Sequence, residues 1–259
     1  MSDFPERANV VVIGAGIVGN CIVGHLARLG WTDLVLIDKG PLPNPGGSTG
    51  HASNFIFPVD HNKEMALLGE QSANQFRDME LSVDSGGIEV ARTEERMHEL
   101  DRRMTSAMAW GIEAHMLTPA GVKELVPFIN EDVILGGFYC PTVSVVDSLE
   151  TGTTMRREAI EMVGCRVFAN TEVLDILTED GPNAGDRTVT GVVTDKGTVE
   201  AEYVVIACGV WSNRIANMAG AVIPLVPTVH QMADVGPMDI LAETNNEIGY
   251  PIVRDMDTF

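Results

Sequence analysis

Gly14, Gly16 and Gly19 stand in G-x-G-x-x-G spacing within "GAGIVG". Glycines so placed do three things: the first allows a tight turn, the second lets a pyrophosphate approach the backbone, and the third lets a helix pack on a strand. The N–H groups near Ile17 and Val18 would open that helix and point at an anion, aided by the helix dipole. Asp38, nineteen residues past Gly19, is a carboxylate suited to accept from ribose hydroxyls and hostile to a 2′-phosphate. A second chemical group follows in "GGSTGHASNFIFP", residues 46–58, where Gly46, Gly47, Ser48, Thr49 and Gly50 lead to His51. A histidine at the end of so flexible and polar a turn either presents its ring to a ligand or bonds a carbonyl of its own loop.

The elements that must position these residues are legible around them. "NVVVI", residues 9–13, is a β-branched run of the kind found in buried parallel strands. After the glycines, Ile17, Cys21, Val23, Leu26 and Leu29 recur at helical spacing, and Gly30 is a natural residue to follow a helix end. "LVLID" reads as the second strand and delivers Asp38. Strand, glycines, helix, strand and acid in this order make a dinucleotide site, where the glycine spacing alone is a weak signal.

Composition narrows the partners. The 259 residues carry 17 Lys and Arg against 37 Asp and Glu, a net charge of −20, which argues against nucleic acid and anionic membranes. Cys21, Cys140, Cys165 and Cys208 form no C-x-x-C pair and read as reduced core residues, as expected of a cytoplasmic protein. No basic-then-apolar leader, no membrane-length apolar run and no metal-ligand spacing is present in the sequence.

The rest of the chain bears on which dinucleotide is bound. An NAD domain would continue in βαβ units. Here a polar loop, residues 39–54, leads to two amphipathic helices. The first carries Met65, Leu68, Ser72, Phe76, Met79 and Val83, and the second Met97, Leu100, Met104 and Met108, a stripe read as core packing. "GIEVAR" (87–92) reads as a strand between them, Thr118-Pro119 as a helix start, 133–141 as a strand and Asp147 as the next helix start with Glu150 closing a capping box. "RVFANTEVLDILTE" supplies two strands. "RTVTGVVTDKGTVEAEYVVIACG" supplies a meander turning at Lys196-Gly197 and closing on an apolar strand, 203–209. Gly209 and Trp211 then open a helix near the cofactor, and 224–235 reads as a long strand.

The expected fold is therefore α/β, of mixed α+β character. A Rossmann-like FAD-binding domain with a β-meander (1–60 and 150–220) accompanies an incomplete substrate-side domain of antiparallel sheet and helices (61–149 and 221–259). An NAD-dependent dehydrogenase is the weaker alternative, since it rests only on "GAGIVG" and Asp38.

"VVVIGAGIVG", "GGSTGHAS", "GGIEVARTEERM", "AWGIE", "ILGGFY", "VVIACGVWS" and "VHQM", in this order, resemble the dimethylglycine and sarcosine dehydrogenase/oxidase group. These are amine-oxidising members of the D-amino-acid-oxidase-like FAD superfamily. The resemblance implies FAD held covalently through His51 at the 8α-methyl carbon, with Ser48 and Thr49 on its phosphates or ribityl chain. It also implies Ile17 and Val18 at the pyrophosphate, Asp38 and Lys39 at the adenosine ribose, Phe55 beside the flavin and the backbone of Val173 at adenine. His230 would lie beside the substrate amine as the catalytic group; its alternative is a core histidine on a half-buried strand. His25, His61, His98 and His115 are left as surface or packing residues. The implied reaction is oxidative N-demethylation of an N-methylated glycine, with hydride leaving the N-methyl carbon. Tetrahydrofolate would be a possible carbon acceptor on a folate-binding domain that this sequence lacks. Relatives also carry further strands and a substrate tyrosine beyond "PIVRDMDTF", so the alternative is a non-catalytic or incomplete flavin-binding chain that needs a partner.

Overall fold

The computed structural model describes residues 4–60, 62–181, 183, 185–233, 235–242 and 248–256; His61 lies outside them. In chain order the elements are β1 (Arg7–Ile13), α1 (Ile17–Arg28), β2 (Leu34–Ile37), β3 (Phe55–Ile56), α2 (Lys63–Asp78), β4 (Ser82–Asp84), β5 (Gly87–Ala91), α3 (Glu94–Trp110), β6 (His115–Leu117) and α4 (Pro119–Leu125). They continue with β7 (Gly136–Cys140), β8 (Ser144–Val146), α5 (Ser148–Val163), β9 (Arg166–Phe168), β10 (Val173–Asp180), β11 (Arg187–Thr194), β12 (Gly197–Ile206), α6 (Ser212–Met218) and β13 (Ile252–Asp255). The chain divides into two compact units, one formed by 1–52 with 148–232 and the other by 53–147 with 233–259.

The first unit is built on a six-stranded sheet in the order β10-β11-β12-β1-β2-β9. β9, β2, β1 and β12 run parallel, and β10, β11 and β12 form the antiparallel meander. Val10, Val11, Val12, Leu34, Val35, Leu36 and Ile37 are almost wholly buried, the reason their segments read as apolar runs without alternation. The apolar strand expected at 203–209 is the second half of β12 and stops at Ile206. β12 is one continuous strand that pairs antiparallel with β11 through Gly197–Glu200 and parallel with β1 from Glu200 to Ile206. Alternation in its first half and an apolar second half reflect this change of neighbour, not a turn.

α1 and α5 lie side by side and parallel on this sheet. Gly24 faces Met155, and Gly152 faces the Asn20 amide so closely that added Cβ atoms would stand 2.6 and 2.9 Å from those side chains. Asn20, 3% exposed, donates to the Ala15 carbonyl at 2.8 Å and accepts from Arg156 at 3.2 Å. Its polarity is therefore satisfied inside the helix pair.

The second unit holds a four-stranded sheet, β13-β5-β7-β6, and a three-stranded one, β3-β8-β4. Thr118 caps α4 through its hydroxyl and Pro119 opens that helix, as the sequence predicts; Thr93 caps α3 in the same way. Three other expectations are corrected. The first amphipathic helix stops at Asp78, with Glu80 left-handed at φ +60°, and Val83 belongs to β4. Its buried face is Ala66 and Ala73, while Met65 and Leu68 are exposed; in α3 the stripe holds at Met97, Leu100 and Met104 but Met108 is exposed. The strand expected at 133–141 begins only at Gly136, after a 3-10 turn over Glu131–Val133.

A further correction concerns the long strand expected over 224–235: among the described residues of that stretch, none is in a strand. Pro224 and Pro227 remove two ladder donors, and the stretch pairs with none of the three sheets. Val226, Val229 and Val235 are accordingly exposed. No described helix is long and apolar enough to cross a membrane.

All four cysteines are free. Burial pushes the Cys165 and Cys208 thiols from 9.0 up to about 11, and raises Cys21 and Cys140 in the same direction. The folded chain therefore keeps protons that the unfolded chain loses as pH rises from about 9 to about 11. Stability is full below that window and falls across it. The urea midpoint should drop between pH 8 and pH 10.5, and a Cys165→Ala/Cys208→Ala variant should drop less. An equal fall in both proteins would remove the thiols as the cause.

Candidate functional site

The turn from β1 into α1 carries the strongest local constraints. Gly14 has φ +104°, a region closed to most side chains, and its N–H donates to the Ile37 carbonyl at 2.8 Å. A Cβ on Gly19 would stand 1.8 Å from the Gly14 carbonyl oxygen, so helix and turn touch there through bare backbone. Gly16 is extended and caps α1 without a side chain. The first-turn N–H groups of α1 have no intrahelical acceptor. One of them, on Ile17, is met from thirty-two residues away by the Thr49 hydroxyl at 3.0 Å, and Val18 is exposed beside it.

Asp38 leaves the end of β2 toward the same turn. Its Oδ2 accepts from the Ala15 N–H and its Oδ1 from the Gly40 N–H, both at 2.7 Å. Its own backbone is fixed by bonds to Phe168 and Thr171 next to β9. Each carboxylate oxygen keeps a lone pair, so the group remains an acceptor for hydroxyls while holding the turn in place. Lys39 is exposed, and its ammonium sits 5.3 Å above the Trp211 ring.

The segment leading to His51 forms a single 3-10 turn over Ser48–Gly50. Ser148, at the start of α5, donates to the Thr49 carbonyl at 2.7 Å. Thr49 thus joins the amino ends of two helices, its hydroxyl at α1 and its carbonyl at α5. Ser48 is exposed. The His51 ring is also exposed; its Nδ1 lies 3.0 Å from the Gly47 carbonyl, and its backbone N–H donates to Ser48 at 3.0 Å. His51 does bond a loop carbonyl, then, but with one nitrogen only. A carbonyl can only accept, so Nδ1 is the donor of this bond, and Nε2 is left outside it. Gly209, at φ +53°, turns the chain after β12 so that Trp211 faces Gly47.

Gly14, Gly16, Ile17, Val18, Gly19, Asp38, Lys39, Ser48, Thr49, Gly50, His51, Gly209 and Trp211 all belong to the first unit, and most are tied to the α1 amino end by the contacts above. Val173 is also there, buried at the start of edge strand β10 and in register with Thr194. Its outer backbone edge has no partner strand. His230 is exposed on the irregular stretch rather than on a strand. Phe55 lies in the second unit, on β3, edge-on to Phe57 at 5.6 Å with the Arg254 guanidinium 5.5 Å from its ring. Sequence reasoning missed Asn20, Ser148, Glu89 and Arg254. Asn20, a polar residue inside an apolar helix, and Glu89, the one acid of an apolar strand, carried a local signal. Among the described residues no cluster of three or more His, Cys, Asp or Glu could hold a metal ion.

These residues fit an adenine dinucleotide. In front of Gly16 an added Cβ would meet only the Thr49 hydroxyl, so an anion has an open approach to bare backbone at a helix amino end. A family model described as FAD dependent oxidoreductase, DAO, matches residues 9–259. Mitochondrial sarcosine dehydrogenase of Mus musculus is 34% identical over 237 residues, 88% of this chain and 25% of that protein. Mitochondrial dimethylglycine dehydrogenase of Rattus norvegicus is 27% identical over 266 residues, 98% of this chain and 29% of that one. Among solved structures, L-proline dehydrogenase from P. horikoshii superposes with a TM-score of 0.76 at 26% identity, covering 84% of this chain and 57% of that one. The chain thus spans little more than a quarter of the length of these curated relatives. With the glycine turn, its acid and the match over residues 9–259 agreeing, the chain belongs to the DAO family of FAD dependent oxidoreductases.

Proposed function

We propose that this chain is the flavin-holding part of an enzyme that oxidises the carbon–nitrogen bond of an N-methylated amino acid of the sarcosine or dimethylglycine type. FAD, when bound, supplies the two-electron acceptor that this chemistry needs. The chain supplies binding and position. The α1 amino end and the Thr49 hydroxyl hold the diphosphate, and Asp38 takes the ribose hydroxyls with its remaining lone pairs. Lys39 and Trp211 close over the adenosine side, and the outer backbone of Val173 meets adenine. On the substrate side, His230 serves as the base that takes the ammonium proton, because a lone pair on nitrogen is required before the adjacent carbon can be oxidised.

The observation that carries the reading is the His51 ring, held by Nδ1 to Gly47 with Nε2 free, at the end of the turn whose Thr49 caps α1. This prepared nitrogen supports attachment of the flavin 8α carbon. Purified protein should be yellow and keep its colour through acid precipitation. His51→Ala protein should bind FAD but release it into the acid supernatant, and its intact mass should lack the flavin increment. Acid-stable flavin in that variant would move the attachment elsewhere, and failure of both proteins to take up FAD would sink the reading.

A further inference from the structure

Three parallel strands of the first unit, β12, β1 and β2, lie side by side in that order and end on the same edge of the sheet. The loop that leaves β1 is the glycine turn, and the loops that leave β12 and β2 flank it. Those flanking loops touch each other. Trp211, after β12, places its ring 3.6 Å from where a Cβ on Gly47 would stand, and the Lys39 ammonium, after β2, sits 5.3 Å above the same ring. The glycine turn lies between the two ends of this contact in the strand order, so the contact bridges the anion site from one side to the other.

The bridge is built to open. Trp211 is 44% exposed and Lys39 is exposed, so their attraction is of the weak, solvent-facing kind. Among the described residues no hydrogen bond joins residues 41–47 to the 208–211 turn, so the indole alone connects the two loops. Gly209, two residues before the ring, has φ +53° and nothing within 4 Å of an added Cβ, which leaves room for the turn to swing. The frame beneath is fixed by contrast. Asp38 holds the Ala15 and Gly40 N–H groups at 2.7 Å, and Thr49 holds that of Ile17 at 3.0 Å.

We propose that Trp211, drawn onto Gly47 by Lys39, is a clasp that lifts to let FAD into and out of the anion site. The proposal rests on the flavin reading above and deepens it by assigning control of cofactor exchange to one side chain. In the closed form the ring bars the way across the glycine turn. In the open form the Gly209 turn carries it aside, and only that form takes up FAD. Uptake is therefore slowed in proportion to the time the clasp spends closed. Gly47 also links the clasp to the attachment loop, since its carbonyl holds the His51 ring.

The test needs reversible binding, so its parent is His51→Ala protein stripped of FAD. Stopped-flow mixing with FAD, followed by flavin fluorescence, reads the uptake rate. In the parent the rate should level off at high FAD, where lifting of the clasp becomes limiting. Adding Lys39→Met, which removes the cation and keeps the ring, should raise uptake about two- to fivefold, as loss of an exposed cation–π contact does. Adding Trp211→Ala, which removes the ring as well, should raise it about tenfold and abolish the plateau. A cation beside a diphosphate speeds encounter, so plain electrostatics predicts slower uptake in Lys39→Met, and a rise is specific to the clasp. Unchanged or slower uptake in both variants, with faster release, would make Lys39 and Trp211 simple nucleotide contacts and overturn the proposal. If the urea midpoint shows Trp211→Ala to be unfolded, Lys39→Met decides alone, since it leaves the ring and its packing in place. Uptake by none of the proteins, parent included, would overturn the flavin reading and the clasp with it.

Discussion

Gly19→Ala protein, loaded with excess FAD, is expected to emerge colourless and less stable than the parent by about 3 kcal/mol, the upper end for forcing a methyl group into packed structure. The cause is backbone against backbone. The new methyl would stand 1.8 Å from the Gly14 carbonyl oxygen, and there is little room around Gly14 itself, where an added Cβ would stand 2.4 Å from the Ala207 carbonyl oxygen. α1 would have to lift from β1 and β12. That movement would take the Ile17 N–H from Thr49 and open the anion site. Gly30→Ala is the control. It sits at the other end of α1 with φ +85° and nothing within 4 Å of the added carbon, so it should cost about 1 kcal/mol of backbone strain and no flavin. Urea midpoints and flavin-to-protein absorbance ratios read both effects. Wild-type flavin content in Gly19→Ala protein would refute the account.

The same contacts explain how much the sequence disclosed. The glycine turn, β1, α1, β2 and Asp38 are close in the chain, and their roles follow from local sterics, so spacing alone located them. Thr49 was placed near the phosphates only through resemblance. Its bond to Ile17 spans thirty-two residues and leaves no periodic trace. The bond from Ser148 to Thr49 spans ninety-nine and is equally silent. β12 shows a related limit: a strand that changes neighbours midway has two burial patterns, and spacing alone does not say that they belong to one element. The stretch 224–235 misled outright. Its apolar residues have strand-like composition, but strands exist only in pairs, and composition says nothing about a partner. In α2 the buried residues proved to be Ala66 and Ala73 rather than methionine, while Met65 and Leu68 face solvent.

Glu89 stands out as one acid in the apolar strand "GIEVA", but its role was not legible, since both guanidinium partners, Arg103 and Arg254, are distant in sequence. Its placement leads to the second large effect. Arg103→Met should destabilise the protein by about 3 kcal/mol, as removal of one partner from a buried ion pair does. The variant strands Glu89 with only the Arg254 contact on Oε1 and with Oε2 still unsatisfied. Replacing both members, as Glu89→Leu/Arg103→Met, removes the buried charge along with its partner, and the double variant should be more stable than Arg103→Met alone. This follows because desolvation of the carboxylate, not loss of attraction, dominates the single change. The surface pair Arg7–Glu200, with side chains 79% and 65% exposed, supplies the contrast: Arg7→Ala should shift the urea midpoint negligibly. A double-mutant cycle on Glu89 and Arg103 should give a coupling of at least about 1 kcal/mol. Additive losses would show instead that Glu89 and Arg103 stabilise the second unit independently, and that the carboxylate is satisfied through Arg254 alone.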